Sequence, residues 1–276
     1  MRFSYFRLII ERLFERSYKE GTILRDGRYQ IVRKLGMGSY GIAYLANDLH
    51  TNKLVVIKRM RAIKRKTRRK SFEREARILR RLDHPQIPAL YETFTERKAL
   101  HLVMEYMDGD TVESLIFEQG KTYTEEEAFL LLREVLIVVE HIHQAGIVHR
   151  DLRIPNILLR DTGVCIIDFG LARFLHERDS KIESYILEKK LRRQIDIKSD
   201  IYALGHFLLF LLYSSYEPTT DEEKSWEEEL ELSDGARSIL RKMLQISPPY
   251  RNIGELVRDI DQVLEKKGMK KDVVVS

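Results

Sequence analysis

Three polar residues in the second half of the chain, Asp151, Asn156 and Asp168, are of the types that phosphoryl transfer requires. They stand in the runs IVHRDLRIPNILL and VCIIDFGLAR. A carboxylate at Asp151 can orient an incoming hydroxyl and accept its proton, Asn156 can offer a neutral oxygen to a metal, and Asp168 a charged one. Their joint purpose would be geometric and electrostatic: aligning a nucleophile while a metal offsets triphosphate charge. Each residue alone is more often a cap or a turn, so it is the ordered set that carries the signal.

A second set lies in the first third. The segment Gly36-Met37-Gly38-Ser39-Tyr40-Gly41 falls between two runs of strand character. Glycines let the backbone turn tightly and approach phosphate oxygens without a Cβ in the way. Alone this is equally an ordinary hairpin, and a dinucleotide-binding turn is disfavoured because a strand follows it instead of a helix. Lys58 ends VVIK, seventeen residues after Gly41, where a pleated strand could aim its amine toward phosphates. Glu75 on the next predicted helix offers a carboxylate to hold that lysine in place. Taken singly, both are ordinary surface charges.

The elements that must position these groups follow from periodicity. Short β-rich runs, YQIVRKLG, GIAYLANDL and KLVVIKRM, predict three antiparallel strands, and ALYETFT and ALHLVMEY two more. Between them, residues 67–82 read as a helix with Phe72, Ala76, Leu79 and Leu82 on one side. Met107 to Asp110 form a polar connection containing a glycine, a natural hinge. Beyond it the pattern is mainly helical, over 124–145, 199–213, 233–246 and 251–267. At the start, Phe6, Ile10, Leu13 and Phe14 recur at helical spacing among arginines, which predicts an amphipathic helix over 4–18.

A hydrophobic share of 43% in 276 residues is ample for a continuous core. The net charge of +5 favours anionic partners without choosing among them. With Cys165 as the only cysteine, an internal disulfide or cysteine-based zinc site is excluded, and a cytoplasmic setting is expected. The longest apolar run, Ile201 to Tyr213, is too short for a membrane span, which needs roughly 18 residues or more.

At residues 27–265 the ordered set resembles the eukaryotic-like serine/threonine protein kinase family, in a compact bacterial-type form with an atypical activation segment. The resemblance implies an α+β, two-lobed protein-kinase-like fold with a β-rich N-lobe and a mainly helical C-lobe. It divides the chain into an N-terminal amphipathic extension (1–26), the N-lobe (27–107), the C-lobe (108–267) and a flexible tail (268–276). It implies ATP with Mg2+ or Mn2+ as cofactors. Gly36, Gly38 and Gly41 would cover ATP, Lys58 would contact the α- and β-phosphates, and Glu75 would pair with Lys58. Asp151 would be the base, and Asn156 and Asp168 the metal ligands, with Phe169 and Gly170 completing a DFG turn. His149 would support the loop, Met104 stand as gatekeeper, Glu105 to Met107 offer backbone to adenine, and Leu158 lie beneath the ring. Asp200 and Gly205 resemble the anchor of a buried helix, and Glu188 and Arg251 resemble a buried pair that locks the activation segment.

Departures from the family pattern sharpen these expectations. Ala43 stands for a valine and Val56 for an alanine around the adenine, altering the pocket's shape without removing a polar group. Arg153 replaces a lysine in the catalytic loop, where a planar fork instead of a compact ammonium could contact the transferring phosphate. LARFLHERDSKIESYILEKK lacks the APE tripeptide, which puts the acceptor platform in question.

The expected function is thus phosphorylation of protein serine or threonine hydroxyls. The alternatives are a nucleotide-binding pseudokinase scaffold and a kinase acting on a small-molecule or lipid hydroxyl. A protein substrate is the expected partner. The N-terminal helix and the basic stretch 58–81, with thirteen Lys and Arg, could contact an anionic membrane or an acidic partner. Nucleic acid is disfavoured because no recognition module or aromatic interleaving accompanies the charge.

Overall fold

The computed structural model of the protein describes residues 17–38, 41–61, 65–178, 182–218, 222 and 224–266. The helix expected over 4–18, apart from its last two residues, and the tail 268–276 lie outside the described residues. The chain divides into two compact units, residues 1–108 and 109–276.

In the first unit the alternating runs form a six-stranded sheet of β1 (Ile23–Leu24), β2 (Tyr29–Met37), β3 (Gly41–Asp48), β4 (Lys53–Met60), β5 (Leu90–Glu96) and β6 (Ala99–Glu105). Its order is β1-β2-β3-β4-β6-β5, with antiparallel neighbours throughout. Because side chains alternate along a strand, the register sorts them onto two faces. Tyr29, Ile31, Ile42, Tyr44, Ile57 and Val103 belong to one buried core cluster. On the other face Ala43 lies opposite Lys58, Lys58 opposite Leu102, and Val56 opposite Met104. Ala43, Val56, Lys58 and Met104, four of the residues expected around a nucleotide, therefore share the face that the core cluster does not use.

The segment before β1 belongs to this unit. Tyr18 donates its amide to the Tyr44 hydroxyl at 3.1 Å, and its own hydroxyl lies 2.9 Å from His101 Nε2. His101 stacks on Phe94 with ring centroids 4.6 Å apart. Burial pushes the His101 ring down to about 4, so it is a neutral packing element at neutral pH.

Helix α1 (Arg65–Arg81) buries Phe72, Glu75, Ala76, Ile78 and Leu79 and leaves basic residues on its outer side, matching the apolar stripe expected from sequence. Gly41 is required where α1 meets the sheet. A Cβ there would fall 2.8 Å from a Phe72 ring carbon and 3.1 Å from the Arg59 carbonyl.

The second unit is mainly helical. Its elements begin with β7 (Asp110–Thr111), α2 (Val112–Phe117) and α3 (Glu125–Gln144). The start of α3 is set by a capping box between Thr124 and Glu127, which satisfies two amides that a helix start leaves unpaired. Then come β8 (Ile147–Val148), β9 (Ile157–Arg160), β10 (Gly163–Ile166) and β11 (Arg173–Phe174). β7, β9 and β10 make one small sheet, and β8 pairs with β11.

Four-residue α6 (Trp226–Glu229) lies among longer helices: α4 (Leu187–Arg193), α5 (Ile197–Tyr213), α7 (Asp234–Met243) and α8 (Ile253–Lys266). The run IYALGHFLLFLLY is indeed a helix, with Leu204, Phe207, Leu208 and Leu211 buried. At Gly205 a Cβ would lie 2.9 Å from a Leu244 methyl, so the glycine admits the end of α7. Among the described residues no helix is long and apolar enough to cross a membrane.

Candidate active site

The first unit presents a lysine held by a buried carboxylate. Lys58 Nζ donates to Glu75 Oε1 at 2.6 Å, with only 12% of the lysine side chain and 2% of the glutamate exposed. Strand β4 places Lys58, and α1 places Glu75 beside Phe72, whose ring lies 5.8 Å from the ammonium. Two sequence-predicted residues are thus brought together, and the amine is fixed at one height on the sheet.

Around Lys58 the same sheet face carries Ala43 and Val56, with Met104 buried at the end of β6. Gly36 pairs with Ala43 across β2 and β3, and the Gly38 amide donates to the Gly41 carbonyl at 2.9 Å. The Glu105 amide is already committed to the Ala89 carbonyl at 2.8 Å. Met107 is buried.

The second unit holds the acidic set on a pinned loop. Asp200, fully buried near the start of α5, accepts the His149 amide at 2.8 Å on Oδ2 and the Arg150 amide at 2.7 Å on Oδ1. His143 Nε2, from the end of α3, lies 2.9 Å from the same Oδ2. Burial pushes the Asp200 carboxyl upward, but the His143 hydrogen bond, the two neighbouring histidines and the Arg150 amide outweigh it and leave the group below its ordinary value. An ionised carboxylate therefore clamps two consecutive amides.

His149 behaves as the supporting residue expected from sequence. Its Nδ1 accepts the Asp151 amide at 3.3 Å, and its Nε2 lies 3.2 Å from the Ile167 carbonyl, the arrangement of a neutral ring. Burial lowers its pKa despite three nearby carboxylates. Phe169 meets the ring edge-on at 4.7 Å.

Asp151 and Asn156 are in direct contact, with Asn156 Nδ2 donating to the Asp151 carbonyl at 2.9 Å and to its Oδ2 at 3.1 Å. The hairpin β9–β10 then carries the chain back so that the Ile167 amide donates to the Asn156 carbonyl at 2.9 Å. Asn156 and Asp168 consequently flank the open end of one hairpin. Asp168 adopts left-handed backbone, φ 61°, and its carboxylate accepts the Gly170 amide at 3.2 Å. That conformation is uncommon for a residue with a side chain and gathers at functional sites. Leu158 is buried in β9, and Arg153 is exposed.

One expectation is corrected. Glu188 and Arg251 do not form a buried pair. Helix α4 turns Glu188 outward, 61% exposed, to an i,i+4 bridge with Arg192 at 3.1 Å. Arg251 is exposed, and its amide, not its guanidinium, is bound, by Glu255 at 2.9 Å.

Two contacts carried no sequence signal. His143 on Asp200 is one. The other is Arg193, whose Nη2 donates to Asp151 Oδ1 at 3.1 Å from the last turn of α4. Among the described residues no group of three or more His, Cys, Asp or Glu side chains is placed to hold a metal.

Comparison with known proteins fits this geometry. The model of the protein kinase domain matches residues 29–267. The chain is 33% identical over 261 residues to the "Probable serine/threonine-protein kinase YbdM" of Bacillus subtilis, covering 94% of this chain and 98% of that protein. It is 35% identical over 198 residues to serine/threonine-protein kinase PrkC of the same organism, covering 68% of this chain and 30% of that longer protein. It spans about half, 48%, of calcium-dependent protein kinase 14 of Arabidopsis thaliana, at 30% identity. Its fold is similar to that of the PF14_0431 kinase domain, with a TM-score of 0.68 at 20% identity, covering 90% of this chain and 98% of that one. The fold is the two-lobed protein kinase fold. The chain belongs to the protein kinase domain family.

Proposed function

We propose that this protein is an ATP-dependent serine/threonine protein kinase that uses Asp151 as its base. The observation that carries this reading is the Asp151–Asn156 contact within a loop pinned at two amides by buried Asp200. Asp151 receives the proton of the acceptor hydroxyl as that oxygen bonds to the γ-phosphorus. The bond from the γ-phosphorus to the bridging oxygen breaks, and ADP is the leaving group.

Lys58, immobilised by Glu75, supplies a fixed cation for the α- and β-phosphates. Gly36, Gly38 and Gly41 leave backbone free of side chains above them. With its own amide spent on Ala89, Glu105 can offer adenine only its carbonyl, so the donor falls to Met107. In the first unit, Ala43 and Val56 supply apolar contact to the ring.

The donor set fits Mg2+ or Mn2+. The Asn156 side chain uses only Nδ2 in hydrogen bonds among the described residues, leaving Oδ1 for a hard cation, and Asp168 adds one carboxylate. Such ions take one or two carboxylates and complete their shell with phosphate oxygens and water. When bound, the metal offsets the charge of the triphosphate. Arg153, exposed beside the loop, is free to meet the transferred phosphate.

A protein acceptor agrees with what the similar bacterial proteins are named for. The basic outer side of α1 would suit an acidic partner, and a reducing cytoplasmic setting suits the buried thiol of Cys165.

The test is transfer from radiolabelled ATP to a panel of peptides, with phosphoamino-acid analysis, beside calorimetry of ATP binding with and without Mg2+. Phosphoserine or phosphothreonine, and metal-dependent binding weakened by Asp168→Asn, are expected. Metal-dependent ATP binding without transfer to any acceptor would instead favour the scaffold reading.

A further inference from the structure

Arg193 stands outside every motif of the sequence, yet it reaches the most important carboxylate in the proposed mechanism. The geometry assigns Arg193 as a positioning residue that makes the orientation of Asp151 conditional on the seating of helix α4. This assignment rests on the kinase reading above.

The two oxygens of Asp151 are held from different places. Oδ2 takes the Asn156 amide at 3.1 Å from five residues away in the same loop, and Oδ1 takes Arg193 Nη2 at 3.1 Å from 42 residues away. A carboxylate gripped at one oxygen can still rotate, whereas one gripped at both has its plane set. Four lone-pair positions are available on the two oxygens, so two donors leave room for an acceptor hydroxyl. The side chain is 17% exposed, enough for that approach.

The guanidinium is also locked to the loop through its backbone. Arg193 Nη1 donates to the Arg150 carbonyl, and in return Arg150 Nη2 donates to the Arg193 carbonyl. The second bond satisfies one of the carbonyls that a helix end leaves without an intrahelical partner, with a cation placed where the helix dipole favours it. Catalytic loop and helix end therefore cap one another. The guanidinium serves Asp151 Oδ1 and the Arg150 carbonyl from two nitrogens in a fixed fork, whereas a lysine at 193 would keep the charge on a shorter, freely rotating ammonium that holds the carboxylate's plane less firmly.

Helix α4 contributes no buried side chain of its own. Arg193 ties it to the loop, and Arg192 lies over the Tyr202 ring at 5.9 Å. Any event that lifts α4 removes the second grip on Asp151 without touching Lys58, Glu75 or the metal ligands. Such an event should change turnover and spare nucleotide affinity.

The experiment compares the intact chain with Arg193→Gln, Arg193→Lys, Asp151→Asn and the Asp151→Asn/Arg193→Gln double variant. It measures kcat and KM for MgATP on a serine peptide that the intact chain phosphorylates. Arg193→Gln should lower kcat about 10–100-fold, the scale of a misplaced catalytic group, with KM for MgATP within about twofold. Arg193→Lys should recover part of that loss, and Arg193→Gln should add no further loss once Asp151 is Asn. Unchanged or raised kcat in Arg193→Gln, or an equal fractional loss on the Asp151→Asn background, would overturn the assignment.

A parallel urea-unfolding cycle on Asp151 and Arg193 reads the contact without any turnover, and non-additive effects are expected. Additive effects would overturn the contact itself. If no acceptor is phosphorylated by the intact chain, the kinase reading falls and takes the catalytic role of Arg193 with it. The unfolding cycle would then still report whether the pair exists.

Discussion

The loop of residues 149–156, which carries the proposed base, and helix α4, which meets it through Arg193, are built in opposite ways. Within the loop the His149 and Arg150 amides are bound by the buried Asp200 carboxylate, and both residues are almost wholly enclosed. Helix α4 has no fully buried residue, exposes Ile186 and Leu187 at its start by 74% and 72%, and makes ion-pair and ring contacts at partly exposed positions. Polar bonds made out of water are costly to break one-sidedly, whereas exposed ones are each worth little. The comparison teaches that the site has a rigid component, which the buried bonds define, and a component whose seating is marginal.

The largest effect should come from removing the clamp. Asp200→Ala strips the acceptor from two buried amides and from His143, and is expected to destabilise the chain by about 3–5 kcal/mol. Urea unfolding measures this, and transfer should be lost together with stability. A loss under about 1 kcal/mol would place the loop with α4 among the weakly held parts and erase the contrast.

A smaller effect concerns acid. His149 has its folded pKa depressed below the ordinary 6.5 by burial, so the folded state binds fewer protons than the unfolded chain. Its contribution to stability is present above pH 6.5 and is lost as the pH falls toward the folded pKa. His101 and His206, both held near 4 by burial, contribute in the same window. The loop's share is the difference in unfolding free energy between pH 7 and pH 5 for the intact chain and for His149→Gln. The variant should show the shallower dependence, and identical slopes would mean that the buried ring is not a source of acid sensitivity.

The smallest effects belong to α4 and the charge once expected to lock it. Arg251→Ala and Glu188→Ala should each change unfolding free energy by about 0.5 kcal/mol or less, because one guanidinium is exposed and the other partner sits in a solvated i,i+4 bridge. A shift of several kcal/mol from either would mean that α4 is anchored through a buried pair after all.

What could be read in advance divides along the same line. Strand alternation and the apolar stripes of α1, α3 and α5 were legible because burial imposes a period on the sequence, and those elements occur where the period places them. Asp151, Asn156, Lys58 and Glu75 could be singled out by type and order because the phosphoryl transfer proposed for them admits few residue types. The expected pairing of Lys58 with Glu75 is present, and the structure adds a contact between Asp151 and Asn156 that the sequence did not announce. Helix α4 was not legible as a helix, since seven residues with none buried impose no period. Arg193 was hidden among Lys189, Lys190 and Arg192, identical to its neighbours in type and distinguished only by where the last turn of α4 ends. The Glu188–Arg251 expectation failed for the related reason that spacing along the chain does not say which way a short helix is turned.

The central claim is that Asp151 acts on the acceptor hydroxyl and not on the nucleotide. Single-turnover transfer of radiolabelled phosphate to a serine peptide by Asp151→Asn, with MgATP affinity measured by calorimetry on the same preparation, tests it most directly. The expected result is a fall in the transfer rate of about 10²–10⁴-fold with nucleotide affinity within about threefold of the intact chain. Transfer at the intact rate would contradict the assignment of the base.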